Sequence, residues 1–145
     1  GTDSPNTPGY LQTVKEKYAN TEGLLFTGYV EENDVERIFK ECTVVVFPYT
    51  ATTGSSGVLH QAGSYGKAVI MPDLGDLSLL VKEEGYAGEF FNPESAASLA
   101  KAIAAIFNDD EYRRKIAMTN YKAASALSMD KIVDLYINHF KEIGV

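Results

Sequence analysis

Apolar side chains recur along the chain at two different spacings, and the alternation of these spacings predicts the order of secondary-structure elements. Short, nearly continuous apolar runs predict strands at residues 24–30, 43–47, 68–71 and 88–91. Between the strands, apolar positions three and four residues apart predict short amphipathic helices. The helical positions are Leu11, Val14 and Tyr18, then Val35, Ile38 and Phe39, then Val58, Leu59 and Ala62, then Leu77, Leu80 and Val81.

Capping residues and glycines predict where the helices begin and end. Residues that favour helix N-termini precede the predicted helices, and these are Thr7 before Pro8, Asn33 with Glu36, Ser56, Asn92 before Pro93, Asp109 and Ser128. Gly66 and Gly85 are expected to end two helices, and Gly28 is expected to form a turn at the end of the first strand. From residue 92 to about residue 143 the pattern predicts helices alone.

The order of these elements indicates the fold class. Strands that alternate with helices through short connections are typical of an α/β fold, here a Rossmann-like, doubly wound parallel sheet flanked by helices, with right-handed crossovers. Residues 43–47 are nearly all β-branched, which is typical of a strand buried on both faces. The helical segment at the C-terminus follows this sheet. The number of strands is left open by the pattern.

Composition narrows the function classes. The 145 residues suffice for one domain, and 13 basic against 20 acidic residues give a net charge of −7, which disfavours nucleic-acid and anionic-lipid binding. The single cysteine, Cys42, excludes an internal disulfide and is expected to be inert, and with His60 and His139 it cannot form an ordinary zinc site. We therefore expect no metal and no cofactor. No apolar stretch is long enough to span a bilayer, and a cytoplasmic location is expected.

The segment between the second and third predicted strands carries the most distinctive chemistry. Residues 48–57 are small and polar, and Gly54, Ser55 and Ser56 come just before a predicted helix. Free backbone N–H groups and the helix dipole favour an anion at such a position, and a phosphate or diphosphate fits this description. An ordinary glycine-rich turn with a serine cap would have the same composition. His60, on the same helix, is expected to be packed or solvated rather than to bind a ligand.

Several segments in a fixed order resemble the C-terminal, nucleotide-sugar-binding domain of group 1 (family 4) retaining glycosyltransferases, enzymes of the GT-B architecture. These segments are residues 26–30, residues 44–49, the glycine-rich loop, Gln61-Ala62 and residues 65–70. The resemblance covers about residues 24–108. It implies a domain that binds a nucleoside diphosphate sugar and belongs to a larger enzyme that transfers a sugar to an acceptor hydroxyl.

The resemblance also assigns candidate binding residues. In this family the turn after the Phe-x-Gly strand lies against the base, which implies Gly28, Tyr29 and Val30 here. The family has one glutamate at the start of the glycine loop, which meets the donor sugar, and a second glutamate eight residues later, which holds the ribose. Thr53 and Gln61 occupy these positions, so both carboxylates are absent. The intervening loop implies a diphosphate and sugar site made of Thr52, Thr53, Gly54, Ser55, Ser56, Gly57 and Val58.

Other family features have no counterpart in the sequence. The family's Arg and Lys that neutralise the departing diphosphate do not match Arg37, Arg113 or Arg114, and no catalytic residue is identified. We expect residues 1–145 to be one C-terminal domain that lacks the first strands, with an acceptor site in a missing N-terminal domain. The exposed strand edges should pair directly with each other or with a second molecule. A flavodoxin-like FMN module and an inactive glycosyltransferase-like scaffold are the alternatives.

Overall fold

The computed structural model describes residues 3–51, 56–126 and 129–144, and the chain divides into two units, Gly1–Ile38 and Phe39–Val145. The first unit contains helix α1 (Tyr10–Lys17) and most of helix α2 (Glu32–Glu41). The second unit contains β1 (Val44–Val46), α3 (Gly57–Ser64), β2 (Ala68–Pro72), α4 (Asp76–Glu83), β3 (Glu89–Phe91), α5 (Ala96–Asn108), α6 (Asp110–Ala126) and α7 (Met129–Glu142).

In the first unit, both helices begin at places other than those predicted. The Asp3 carboxylate accepts hydrogen bonds from the amides of Gly9 (2.8 Å) and Leu11 (2.6 Å), so a carboxylate distant in sequence satisfies the first turn of α1 and Thr7 does not cap it. Helix α2 begins at Glu32, which places Asn33 inside its first turn. The predicted capping box at Asn33 is therefore wrong.

The strand predicted at residues 24–30 does not form. The backbone there pairs with no other strand in the described part of the chain, and the Leu25 side chain is 82% exposed. An apolar run becomes a strand only where a ladder partner satisfies its N–H and C=O groups, and this requirement is not visible in the run itself. The turn at Gly28 is confirmed, because Gly28 has a φ of +69°.

In the second unit, three parallel strands form a sheet in the order β1-β2-β3. Val45 pairs with Val69, and Met71 pairs with Phe90. All five residues of the central strand β2 are buried, whereas the three residues of β1 are only half-buried. The expectation that β1 is buried on both faces is therefore wrong, because an edge strand and a central strand can share the same β-branched composition.

Helices α5 and α6 cover one face of this sheet and form the main core with it. Alternate residues of the strands point to this face and contact the buried sides of the two helices. The cluster consists of Ala68, Ile70, Phe91, Ala102, Ile106 and Ile116, with Val44, Val46 and Leu99 packed against it. The α/β class, the parallel sheet and the helical C-terminus are thus confirmed.

Glycine closes two helices as predicted. Gly66 has a φ of +60°, and Lys67 donates its amide to the Ala62 carbonyl (2.9 Å). Gly85 has a φ of +82°, and Tyr86 donates its amide to the Val81 carbonyl (2.9 Å). Both are Schellman motifs, in which a left-handed glycine lets the chain turn back and satisfy the last carbonyl groups.

The caps of the C-terminal helices agree with prediction in part. Asp109 accepts a hydrogen bond from the Tyr112 amide (2.8 Å) and caps α6 as expected. Helix α5 begins at Ala96, and its cap is Ser95, which accepts from the Ser98 amide, so the predicted cap at Asn92 is wrong. The predicted cap of α7, Ser128, lies outside the described residues. None of the described helices is long and apolar enough to cross a membrane.

Helix α6 is fixed to the sheet and to α3 by one buried amide and one close approach. The fully buried Asn120 accepts a hydrogen bond from the Ala87 amide (2.8 Å) and donates to the Lys67 carbonyl (3.1 Å). Gly63 of α3 lies directly opposite, and a Cβ atom there would be 2.8 Å from the Tyr86 ring and 2.9 Å from the backbone carbonyl oxygen of Asn120. Only glycine fits at this crossing of α3 and α6.

We expect Gly63→Ala to lower the free energy of unfolding by about 1–3 kcal/mol, because the added methyl group must displace backbone. Chemical denaturation followed by circular dichroism measures this change. Gly57→Ala is the matched control, since a Cβ atom at Gly57 meets no atom of the described residues within 4 Å. This change should leave stability unchanged or slightly raised. Equal stability of the two variants would contradict the close packing of α3 on α6.

Candidate functional site

The candidate site lies at the edge of the sheet where the parallel strands end. Residues 48–50 leave β1 at this edge, and α5 begins there a few residues after β3. In open α/β sheets ligands bind beyond the carboxyl ends of the strands, so this edge is where a site is expected. Helix α3, which follows the glycine-rich loop, also begins after β1.

Four of the predicted loop residues lie outside the described residues, namely Thr52, Thr53, Gly54 and Ser55. The structure therefore describes the candidate site from Ser56 onward. Ser56 occupies the N-cap position of α3, and Gly57 and Val58 form the first turn. The predicted helix start at Ser56 is thus confirmed to within one residue.

The first turn of α3 leaves backbone donors available. The Ser56 carbonyl accepts the amide of Leu59 (2.8 Å), but the Ser56 side chain makes no capping hydrogen bond. The amides of Gly57 and Val58 have no acceptor among the described residues. No atom of the described residues lies within 4 Å of a Cβ position at Gly57, which leaves room for a ligand near these amides. Free N–H groups at a helix N-terminus favour an anion.

The exposed and buried sides of α3 separate the candidate residues from the core. Leu59, Ala62 and Gly63 are buried, whereas Gly57, Val58 and Gln61 are exposed. Gly57 and Gln61 are four residues apart and therefore lie on one face of the helix. The structure thus brings together three of the predicted binding residues on the solvent side of α3.

A tyrosine that the sequence reasoning missed connects the two ends of the loop. The Tyr49 hydroxyl lies 3.1 Å from the Ser56 Oγ, a hydrogen bond in which either oxygen can donate. Tyr49 also lines a cavity of about 180 Å³ between the end of β1 and the start of α5. The remaining lining residues are Pro48, Thr50, Phe91, Glu94, Ser95, Ala96 and Leu99. Tyr49 ends the segment 44–49 that resembles the family, but its contact with Ser56 depends on a distance across the loop that the sequence pattern does not encode.

His60 belongs to a small polar cluster behind the site. Its Nδ1 atom lies 2.8 Å from the Tyr86 hydroxyl, and the two rings pack edge to face. Its Nε2 atom lies 3.7 Å from the Glu84 Oε2, a buried oxygen without a hydrogen-bond partner among the described residues. Burial, and to a smaller extent the charge of Glu84, raises the pKa of the Tyr86 hydroxyl. His60 is packed, as expected.

The remaining predicted residues lie in other surroundings. Gly28, Tyr29 and Val30 belong to the first unit, where Tyr29 is 68% exposed, and their role as base contacts stays a prediction.

The Cys42 thiol donates to the Phe39 carbonyl (3.3 Å), and burial raises its pKa, which disfavours the reactive thiolate. The described residues contain no group of three His, Cys, Asp or Glu side chains arranged to hold a metal ion.

The second unit is thus an α/β domain in which the N-terminus of α3 and an adjoining cavity lie at the carboxyl edge of a parallel sheet. A family model described as "Glycosyl transferases group 1" matches residues 2–109. The chain therefore belongs to the group 1 glycosyltransferases, and the flavodoxin-like alternative is not favoured.

Relatives and solved structures agree with this membership. O-antigen chain mannosyltransferase C of Escherichia coli is 22% identical over 135 residues, which cover 90% of this chain and 36% of that protein. Among solved structures, sucrose-phosphate synthase from Thermosynechococcus elongatus superimposes with a TM-score of 0.75 at 20% identity, over 98% of this chain and 36% of the synthase.

Two further structures have the same fold. The Anabaena protein Alr3699/HepE, crystallised with UDP and glucose, has a TM-score of 0.70 at 20% identity and covers 91% of this chain and 35% of its own. The C-terminal domain of the group 1 glycosyltransferase LpcC from Francisella tularensis has a TM-score of 0.67 at 19% identity, over 86% of this chain and 65% of that domain. The predicted GT-B C-terminal fold is confirmed. The chain spans about a third of its full-length relatives.

We expect the hydrogen bond between His60 and Tyr86 to contribute to holding α3 in place. In a double-mutant cycle of His60→Leu and Tyr86→Phe, the coupling energy should be about 0.5–1.5 kcal/mol, the usual net contribution of an intramolecular hydrogen bond. Urea denaturation of the parent, the two single variants and the double variant measures it. Strictly additive effects would show that the two side chains act independently.

Proposed function

We propose that this chain is the donor-binding domain of a retaining glycosyltransferase that transfers a hexose from a nucleoside diphosphate sugar to an acceptor hydroxyl. The observation that carries the proposal is the start of α3, where the amides of Gly57 and Val58 lack acceptors among the described residues and follow the carboxyl end of β1 in the chain. Alr3699/HepE was crystallised with UDP and with UDP-glucose, and we extend that class of ligand to this chain.

The proposed contribution of this domain to catalysis is stabilisation of the leaving group. As the bond between the sugar and the diphosphate breaks, negative charge grows on the diphosphate oxygens. Backbone N–H groups that already point at those oxygens, together with the helix dipole, stabilise this charge without reorganisation. The loop residues Thr52 to Val58 would surround the diphosphate and sugar, and Gln61 would hydrogen-bond the ribose.

The substitution of both family glutamates defines what is unusual about the proposed site. Gln61 is exposed on the same face as Gly57 and can donate to or accept from a ribose hydroxyl, but its bond is weaker than that of a carboxylate. Thr53 keeps a hydroxyl where the family has a carboxylate for the donor sugar. These two positions also favour a second candidate, a domain that binds a nucleotide but has lost sugar transfer.

We further propose that residues 1–145 form one C-terminal domain of a larger two-domain enzyme. The acceptor, a sugar, a lipid-linked sugar or a small molecule, would bind to an N-terminal domain, and this chain alone would transfer no sugar. The O-antigen mannosyltransferase of Escherichia coli suggests polysaccharide biosynthesis as the process. A cytoplasmic enzyme, in its full length peripheral to the inner membrane face, fits such a role.

We expect at least one of UDP, GDP and ADP to bind the chain in isothermal titration calorimetry. In the parent, the amide resonances of Gly57 and Val58 should shift when the nucleotide binds, because these groups would donate to the diphosphate. Gln61→Ala should weaken binding by about 0.5–1.5 kcal/mol, and Gln61→Glu should keep or improve it.

Gln12→Ala is the matched control, since Gln12 is the other glutamine of the chain and is exposed on α1. It should leave nucleotide affinity unchanged. If none of the three nucleotides binds, the proposed function is wrong. If a nucleotide binds but both Gln61 variants behave as the parent does, the ribose contact is wrong and the donor-binding function stands.

We also propose that the outer edge of β1 pairs with a strand from a second molecule. In the described residues β1 pairs with β2 alone, and direct pairing with residues 24–30 is wrong because no strand forms there. The edge is short, uncharged and β-branched, which favours edge-to-edge association.

Thr43→Lys adds a charge at an exposed position next to β1 and should reduce any self-association through this edge. Sedimentation velocity of the chain gives its molecular mass as a function of concentration. Thr21→Lys is the control, since Thr21 is exposed and far from β1 in sequence. Identical sedimentation of the two variants would rule out the strand edge as the contact.

A further inference from the structure

The serine at the start of α3 has the backbone of a helix cap, but its side chain does not act as one. Ser56 has an extended backbone, with φ −94° and ψ 127°, and its carbonyl accepts the Leu59 amide (2.8 Å). The hydroxyl of such a serine normally accepts a hydrogen bond from the amide two or three residues further on. The Ser56 side chain makes no such bond. Because the Leu59 amide is already bonded, the amide left without a cap is that of Val58.

The Ser56 hydroxyl is bonded to Tyr49 instead. The two hydroxyl oxygens lie 3.1 Å apart. The serine hydroxyl moves between staggered rotamers about a single bond, so facing Tyr49 and facing its own helix are alternatives. In the structure, the rotamer that reaches Tyr49 is one that makes no capping bond. The two hydrogen bonds therefore compete for one side chain.

The sheet holds Tyr49 in place for this contact. Its ring packs edge-on against Phe47, with ring centroids 5.7 Å apart and planes at 65°. Phe47 is buried and donates its amide to the Ile70 carbonyl of β2 (2.9 Å). Tyr49 is itself half-buried. The position of the Tyr49 hydroxyl therefore depends on the end of β1 and on its neighbour β2.

We propose that Tyr49 is a positioning residue for the nucleotide, which holds the Ser56 hydroxyl and thereby keeps the Val58 amide open for the diphosphate. A ligand that needs a capped amide must first break the cap, and its apparent affinity falls with the fraction of molecules in which the amide is open. The Tyr49 contact removes this competition before the ligand binds. The inference rests on the proposed function, because it assigns the diphosphate to the first turn of α3.

Amide hydrogen exchange tests the choice of hydrogen-bond partner without any ligand. Tyr49→Phe removes the hydroxyl but keeps the ring that packs on Phe47, so the Ser56 hydroxyl becomes available to cap the helix. Exchange of the Val58 amide, followed by NMR at constant pH, should then slow by about threefold to tenfold, in line with the contribution of a serine cap. In Tyr49→Phe combined with Ser56→Ala, no hydroxyl remains, and the slowing should disappear.

Titration calorimetry tests the consequence for binding, with whichever of UDP, GDP and ADP binds the parent chain. Tyr49→Phe should weaken binding by about threefold to tenfold. In a Ser56→Ala background, the same change should alter the dissociation constant by no more than about twofold, because the competing hydroxyl is absent. A tyrosine that only supported the loop would weaken binding equally in both backgrounds. Tyr121→Phe, at an exposed position on α6, is the matched control and should change neither measurement.

The inference is supported if slower exchange and weaker binding both depend on the presence of Ser56. It is overturned if Tyr49→Phe leaves the exchange of the Val58 amide unchanged or faster. It is also overturned if Tyr49→Phe weakens binding to the same extent with and without Ser56. If the parent binds none of the three nucleotides, the proposed function is wrong, and the exchange measurement still decides whether Tyr49 controls the cap of α3.

Discussion

The buried side chain of Asn120 is the interaction on which the arrangement of the second unit depends. Its amide group joins three segments, because it accepts from the backbone just before β3 and donates to the carbonyl just before β2, while its own helix packs on α3. A buried backbone N–H or C=O group without a hydrogen-bond partner costs about 1–3 kcal/mol. The Asn120 side chain avoids this cost for two such groups that lie outside the strand pairing. The entry of β2 and β3 into the sheet is thereby tied to α6.

The position of the candidate site depends on these contacts of Asn120 and α6. Helix α3 approaches α6 at Gly63 so closely that a single methyl group would collide with the backbone carbonyl oxygen of Asn120 and with the Tyr86 ring. At the end of α3 the Schellman turn at Gly66 leads directly to Lys67, whose carbonyl Asn120 holds. The direction of α3, and therefore the direction in which its first amides point, is set by contacts at its far end. The exposed residues at the start of α3 therefore do not determine the direction of the helix.

The fold class and most helices of the second unit could be predicted from the sequence, because apolar spacing and glycine stops act locally. Gly66 and Gly85 ended their helices as predicted, since a left-handed residue is required there and glycine provides it. The predictions were wrong where a residue or strand distant in sequence determines the local structure. Asp3 caps α1 from six residues away, and the run at residues 24–30 lacks the neighbour that a strand needs. Asn120 carries no signal in the sequence, because an asparagine in a helix is more often exposed.

The candidate site shows the same division between local and distant determinants. The start of α3 was predictable from composition, whereas Tyr49 and the cavity beside it depend on a distance across the loop that no pattern encodes. The site also explains how a chain with a net charge of −7 could bind a diphosphate. Its donors are backbone amides, which keep their position and dipole whatever side chains surround them. Under the proposed function, the loss of both family glutamates would remove contacts to the sugar and the ribose but would leave in place the amides that face the diphosphate.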